Sequence, residues 1–391
     1  MLRYFTSGES HGEALVAFLS GMPAGLTIDQ EFVDRELWRR QQGYGRGGRM
    51  KIESDKAHFL SGVRHGKTIG SPIAVLLANR DWQNWKESLP VEPGDPEKHK
   101  PVASPRPGHA DLAGALKYDF AEARYVLERA SARESAARVA IGALAKLFLR
   151  DLGVEIASHV IAVGATSISD REITWEQIEP LAHKDEILLS CADPEAEQRM
   201  KEEVDKVLRT GDSVGGVFEV VARNVPPGLG SYGQWDERLD ALLAAAVMSL
   251  QAVKAIEIGS GIQAALSPGS AVHDEIGYRR ESGFAGFTRA RNNAGGIEGG
   301  VSNGQEIRVR GYLKPISTLR RPLQSVDFTT REPVKAAYER SDVCVVPAAG
   351  VAAEAMVALT LARCALEKFG GDSLRETKRN FQGYLEQLKK Y

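Results

Sequence analysis

AAGVAAEAMVALTLARCALEKF, residues 348–369, is the stretch that decides the architecture. Alanine and leucine dominate it, no proline interrupts it, and Gly370-Gly371 closes it, so it reads as one helix. Apolar side chains surround nearly its whole circumference, and such a helix has to be covered on every side. The central part, Val351 to Leu366, carries Glu354 and Arg363. Those charges make it too interrupted for a bilayer span, and it reads as a buried helix of a packed protein.

The segments around it supply the cover. Leu2, Tyr4 and Phe5 form a short strand, and Leu26 to Trp38 reads as a helix preceded by a turn. Ile69 to Leu77 is an apolar, strand-like run. Ser131 with Glu134 fits a capping box, opening a helix through Val139, Ile141, Leu144 and Leu147. Asp236 to Ile258 reads as another helix stopped by Gly259, with Leu239, Leu243, Ala246, Leu250 and Val253 on a period of about 3.6. Val217 to Ala222 is a strand, and Ile307, Val309, Gly311 and Leu313 alternate with Arg308, Arg310 and Tyr312 as a strand with one polar face. The last twenty residues form a charged helical tail. The sum is a mixed chain of helices and strands, with alanine-rich helices in the middle and sheets covering them.

Composition narrows the function. The 391 residues suit one large domain or two fused halves, and 43% are apolar, enough for a substantial core. Fifty basic against 52 acidic residues give −2, which does not suggest a nucleic-acid protein. Cys191, Cys344 and Cys364 are odd in number and far apart, fitting a reducing compartment, and no Cys/His group has zinc spacing, so no metal is expected. The polar N-terminus is not a signal peptide, and the expected setting is cytoplasmic. Neither a P-loop nor a Gly-x-Gly-x-x-Gly turn between strand and helix is present.

Several short segments could carry chemistry. Gly8-Glu9-Ser10-His11-Gly12 ends the first strand, and glycines there allow close backbone approach to a ligand while imidazole changes protonation near neutral pH. A tight turn with a surface histidine is the bland alternative. Arg35, Arg39, Arg40, Arg46, Arg49 and Lys51 fall within 17 residues, interleaved with glycines. That local cationic patch suits a phosphate or carboxylate, with a solvated basic loop or RNA binding as alternatives. Residues 90–107 hold six prolines and form a loop or extended crossover, closed by Arg106-Pro107-Gly108-His109-Ala110-Asp111. Arg129 and Arg133 flank a helix start, where cations are unfavourable unless an anion or nearby acid pairs with them. Asn292 to Gly300 is a side-chain-poor loop or long hairpin turn, Lys314-Pro315-Ile316-Ser317-Thr318 follows a strand, and Arg340-Ser341-Asp342 ends a helix. One site built from all of these would hold a large, multiply charged anion, or two.

In these motifs and their order the chain resembles chorismate synthase. The likeness rests on Gly8 to Gly12, on Arg129-Ala130-Ser131-Ala132-Arg133-Glu134-Ser135 running to Gly142, and on Arg340-Ser341-Asp342 running to Glu354, and it spans residues 1–391 as a single unit. It implies an α+β fold, a β-α-β sandwich with central apolar helices flanked by antiparallel sheets. It implies a carbon-oxygen lyase, the 1,4-anti elimination of phosphate from 5-enolpyruvylshikimate 3-phosphate to chorismate, the last step of the shikimate pathway. Reduced FMN is required without net redox change, NADPH is a candidate reductant, and the assembly is a homotetramer with neither nucleic acid nor membrane as partner. Carried over by residue, His11 protonates or polarises the departing phosphate, His109 keeps the reduced flavin in its proper protonation state, and Asp342 with Ser10 assists proton removal. Arg40 and Arg46 match positions that bind the anionic substrate or reduced nucleotide, and Arg49 and Arg133 are further substrate contacts. Arg129, Ala130, Ser131, Gln251, Ala252, Gly299, Lys314, Pro315, Ile316, Ser317, Thr318 and Arg340 match flavin-contacting positions. Position 130 is alanine where many relatives have serine, and residues 82–105, longer than in compact relatives, are a candidate lid. A flavin reductase or oxidase with net redox chemistry, and a non-enzymatic RNA binder, are the competing readings.

Overall fold

The computed structural model describes residues 1–47, 54–168, 173–339 and 342–391. Strands Arg3–Ser7 (β1), Ala14–Ser20 (β2), His58–Phe59 (β3) and Ile73–Ala78 (β4) form an antiparallel sheet in the order β1-β2-β4-β3. A second antiparallel sheet holds Glu155–Val163 (β5), Thr166–Ser167 (β6), Gly216–Arg223 (β7), Val253–Ile258 (β8) and Ile307–Leu313 (β9), in the order β8-β9-β7-β5-β6. The longer helices are Gln30–Gln41 (α1), Asp111–Tyr118 (α2), Arg124–Ala130 (α3), Ser135–Arg150 (α4), Pro194–Thr210 (α5), Leu239–Met248 (α6), Val346–Phe369 (α7) and Leu374–Lys389 (α8).

The helices lie between the two sheets. Helix α4 packs on β2 and β4 on one side and on α7 on the other, while α7 packs on β5 and β7. This is the β-α-β sandwich, and α7 is its innermost element, with every residue from Gly350 to Ala362 buried. By length and composition α7 could cross a membrane, but 83% of its most apolar window is buried inside the protein, as befits a core helix. Helices α4 and α7 approach so closely that a Cβ on Gly142 would lie 2.2 Å from Ala355 Cβ. Small residues at the crossing make this approach possible.

A buried charge network ties the layers together. Arg39 of α1 donates to Glu354 of α7 at 2.7 and 2.8 Å and to Glu36 at 2.7 Å. Lys146 of α4 bridges Glu36 and Glu354, and Ser158 of β5 donates to Glu354 at 2.5 Å. Two cations and two anions cancel, which is the condition for burying charge. Burial alone would raise the Glu354 carboxyl; Arg39 and Lys146 outweigh it and hold the group down at about 2.

Several elements differ from their sequence reading. Helix α1 starts at Gln30, capped by Asp29 accepting from the Phe32 N–H at 3.0 Å, because Leu26 and Ile28 extend and bond to the Gly66–Thr68 hairpin. The strand expected from Ile69 starts at Ile73. Ser131 caps a short 3-10 turn by accepting from the Arg133 N–H at 3.2 Å, but Glu134 does not complete the box. Its carboxylate is taken by Thr6, Arg138 and Gln251. Asp236 to Ile258 is not one helix: α6 ends at Met248, Ala252 turns the chain at φ +69°, and Val253–Ile258 becomes β8. The β-branched Val253, Ile256 and Ile258 gain more by pairing with β9 than by extending the helix. No helix runs into Asp342 among the described residues; the preceding strand Pro333–Lys335 pairs with Gln324–Val326.

Candidate active site

The N-terminal end of α7 opens on a cavity of about 450 Å³. Val345, Ala348, Ala349 and Ala352 floor it with small apolar side chains. Among the described residues its walls include the turn after β1, the end of α1 with Arg46 and Gly47, Trp85, the segment closing the proline-rich loop, the α3–α4 junction, the α6–β8 turn, the strap after β9 and the segment with Glu339 and Asp342.

His11 sits in the turn between β1 and β2. Asn79 holds that turn by donating to the Glu9 and Gly12 carbonyls at 3.1 and 2.8 Å. His11 Nδ1 lies 2.8 Å from Glu128 Oε1, and its ring packs on Trp85 at a tilt of 33° with centroids 4.2 Å apart. Asp81 is 4.0 Å from Nε2. Burial by itself would raise the Glu128 carboxyl; hydrogen bonds and charge from His11, with Arg124, hold it below the usual range.

His109 follows Gly108, whose φ of +79° sets a conformation that suits glycine. Its Nδ1 lies 2.6 Å from Asp111 Oδ1. Arg106 donates to both Asp111 oxygens, at 2.8 and 3.0 Å, and to Thr318 Oγ1 at 2.9 Å. Burial opposes ionisation of Asp111, but His109 and Arg106 outweigh it and drive its carboxyl far below the usual range. Lys314 donates to the Gly108 carbonyl at 2.7 Å, joining the strap to this loop. Burial, with Lys254 nearby, lowers the Lys314 ammonium below its ordinary value.

The third cluster is cationic. Arg133 donates to Asp55 at 2.6 Å and to Asn79 at 2.9 Å. Arg40 is 3.7 Å from the same Asp55 oxygen and donates to Ser135 Oγ and the Ala132 carbonyl at 2.9 and 3.0 Å. Arg46 lies 3.2 Å from Asp342, which also accepts from the Gly47 N–H at 2.5 Å. Burial pushes the Arg40 guanidinium down to about 9; Asp55 opposes, while Arg133 and Arg46 push it further. One buried nitrogen of Arg40, Nη1, has no hydrogen-bond partner. A guanidinium keeps its proton, so Asp55 pairs with Arg40 here without satisfying every N–H.

The chorismate synthase family profile matches residues 2–366. A chorismate synthase of Koribacter versatilis (strain Ellin345) is 74% identical over 393 residues, covering all of both chains. One of Geobacter sulfurreducens is 54% identical over 395 residues, again over all of both. A solved structure titled "Crystal Structure of Chorismate Synthase" superposes with a TM-score of 0.79 at 40% identity, covering 100% of this chain and 99% of the other. The chain belongs to the chorismate synthase family. It is a lyase of the shikimate pathway, acting at the step that forms chorismate.

Most of the residues matched to chorismate synthase positions converge. Ser10, His11, His109 and Asp342 all line the cavity, with Arg40, Arg46 and Arg133. So do Ala130, Ser131, Gln251 and Ala252, and Lys314, Ile316, Ser317 and Thr318 of the strap. Pro315 belongs to the strap without lining the cavity. Arg129 points elsewhere, donating to the Gly8 and Thr6 carbonyls at 3.1 and 3.0 Å. Gly299 is in the tight turn between Ile297–Glu298 and Val301–Ser302, away from the cavity wall. Arg49 and Arg340 lie outside the described residues.

Sequence reasoning missed Trp85, Arg106, Glu128 and Asp55. Arg124 and Glu128 at i and i+4 read as an ordinary helix pair, and Asp55 has no local signature at all. Arg106 was within reach, since it opens the motif that contains His109.

Proposed function

We propose that this cavity binds 5-enolpyruvylshikimate 3-phosphate together with reduced FMN and expels phosphate by 1,4-anti elimination. The observation that carries the reading is the meeting of His11, His109 and Asp342 with three arginines around one cavity. The substrate brings a phosphate and two carboxylates, which would supply the hydrogen-bond acceptor that Arg40 Nη1 lacks and share the charge of three clustered arginines.

The cavity also fits the cofactor. Its floor of alanines leaves room for a flat ring, and the backbone turns at 130–132, 251–252 and 316–318 present polar groups at its edges, with Lys314 for an anionic group. FMN, when bound in its reduced form, would supply electron density that eases loss of phosphate. The protein's own groups do the rest. Arg40, Arg46 and Arg133, with Arg49, hold the anionic groups of the substrate. His11 gives a proton to the departing phosphate, His109 sets the protonation of the cofactor, and Asp342 with Ser10 takes part in removing the ring proton. The C–O pair departs with the phosphate, the C–H pair stays in the ring and, as the ring double bond shifts, completes a conjugated diene, so no electron is gained or lost overall.

The test is an anaerobic assay with dithionite-reduced FMN. Phosphate and chorismate are expected to form in equal amounts and in catalytic excess over flavin. Flavin oxidised in stoichiometric proportion, without chorismate, would overturn the reading. Reduced FMN is taken to come from outside; omitting dithionite and adding NADPH tests whether the enzyme also reduces its own flavin.

The working form we infer is a homotetramer in the cytoplasm. In support, Phe5 and Phe18 face one another across β1 and β2 and are 72% and 42% exposed, an apolar sheet surface suited to a second copy. Light scattering on Phe5→Lys/Phe18→Lys protein is expected to show a smaller assembly.

A further inference from the structure

We propose that Glu128 and Asp111 are positioning residues: each holds the Nδ1–H of one active-site histidine and leaves Nε2 as the nitrogen that exchanges protons with the bound molecules. The proposal rests on the functional reading above for what the histidines do, but the geometry stands by itself.

An ionised carboxylate only accepts hydrogen bonds, so a ring nitrogen beside one has to be the donor. Glu128 is 3% exposed at its side chain and is ionised, and His11 Nδ1 is within 2.8 Å of one oxygen and 3.1 Å of the other. Glu128 also accepts the His11 backbone N–H at 2.7 Å, and its own carbonyl accepts the Ser10 N–H at 3.0 Å. One residue of α3 thereby fixes both the backbone and the ring of His11. Trp85 closes one face of the ring, so rotation is blocked as well.

His109 repeats the arrangement on a different element. Asp111 is fully buried and lies 2.6 Å from Nδ1. Arg106 Nη2 is 3.1 Å from the same nitrogen, yet it cannot donate there while Nδ1 carries a hydrogen. The shorter approach of the carboxylate decides the matter, and Nη2 donates to Asp111 Oδ1 at 3.0 Å. Arg106 therefore holds the carboxylate that holds the ring. Among the described residues, the charged groups against the two imidazoles include Glu128 and Asp81 for His11, and Asp111 and Arg106 for His109. In each case the strongest hydrogen bond is made at Nδ1.

The test is 15N solid-state NMR on histidine-labelled whole enzyme, assigned with His11→Asn and His109→Asn. Neutral His11 and His109 are expected to carry their proton on Nδ1 in the wild type; protonation on Nε2 in that spectrum overturns the proposal without any variant. Glu128→Gln and Asp111→Asn put an amide in place of each carboxylate. The proton of the partner histidine is then expected on Nε2, with kcat lower by ~10²-fold or more and FMN affinity, from fluorescence titration, within about twofold. Wild-type kcat and an unmoved resonance would overturn the assignment, and so would a loss of kcat matched by lost FMN affinity with the resonance unmoved. The spectrum needs no turnover: a wild type that makes no chorismate refutes the functional reading, whereas the nitrogen signals judge this proposal separately.

Discussion

Arg39 and Glu354 meet through two hydrogen bonds, 2.7 and 2.8 Å long, with both side chains buried at the centre of the helix layer. The next residue, Arg40, turns to the cavity instead. Two adjacent arginines on α1 thus serve different ends, one held in hydrogen bonds by Glu36 and Glu354 and the other lining the cavity while sharing Asp55 with Arg133.

Removing one partner of the matched pair leaves a buried charge exposed to no water. Glu354→Gln is expected to cost ~3–5 kcal/mol of stability, read from the urea unfolding midpoint. A variant within about 0.5 kcal/mol of wild type would show that the network relaxes around the loss.

The same carboxyl sets the acid limb of stability. Its folded value of about 2 lies below the ordinary 4.5, so its contribution is fully present above 4.5 and is lost as pH falls toward 2. Glu219 behaves alike: burial would raise it, but His159, Arg308 and Arg310 hold it at about 2. The thermal midpoint is expected to decline across that window, and less steeply in Glu354→Gln. A midpoint flat through the window would contradict the assignment.

Gly142→Ala places a Cβ 2.2 Å from Ala355 Cβ, inside the distance two carbons tolerate. Helices α4 and α7 are expected to separate, with a loss of ~1–3 kcal/mol in thermal or urea unfolding. Because α7 also floors the cavity, FMN affinity is expected to drop with it.

Arg40→Met keeps the packing of the stem and removes the charge. The apparent substrate constant is expected to rise by ~10-fold or more, with circular dichroism unchanged. Unfolding of this variant would mean that Arg40 is structural.

His11→Ala and His109→Ala are each expected to lower turnover by ~10²-fold or more, as loss of a positioned proton carrier does. Steady-state phosphate release measures it. Wild-type turnover in both variants would remove the roles given to these residues.

Much of this was readable from the chain alone. The apolar circumference of residues 348–369 calls for cover on all sides, and periodicity is a local property, so the helix-centred sandwich followed from it. The motifs around His11, His109 and the arginines were equally visible, because glycine, proline and charge mark themselves within a few residues. The break of the 236–258 segment was not visible. Its apolar period is compatible with a helix throughout, and only pairing with β9 selects a strand after Ala252.

Pairing across long separations was decided by the tertiary structure. Glu128 reaches His11 across 117 positions, and Arg133 finds Asp55 across 78. Nothing in either neighbourhood announces the partner, because a hydrogen bond between distant residues depends on how whole layers pack. Local order is written in the spacing of side chains along the chain; the geometry of a site exists only once the two sheets have closed on the helices between them.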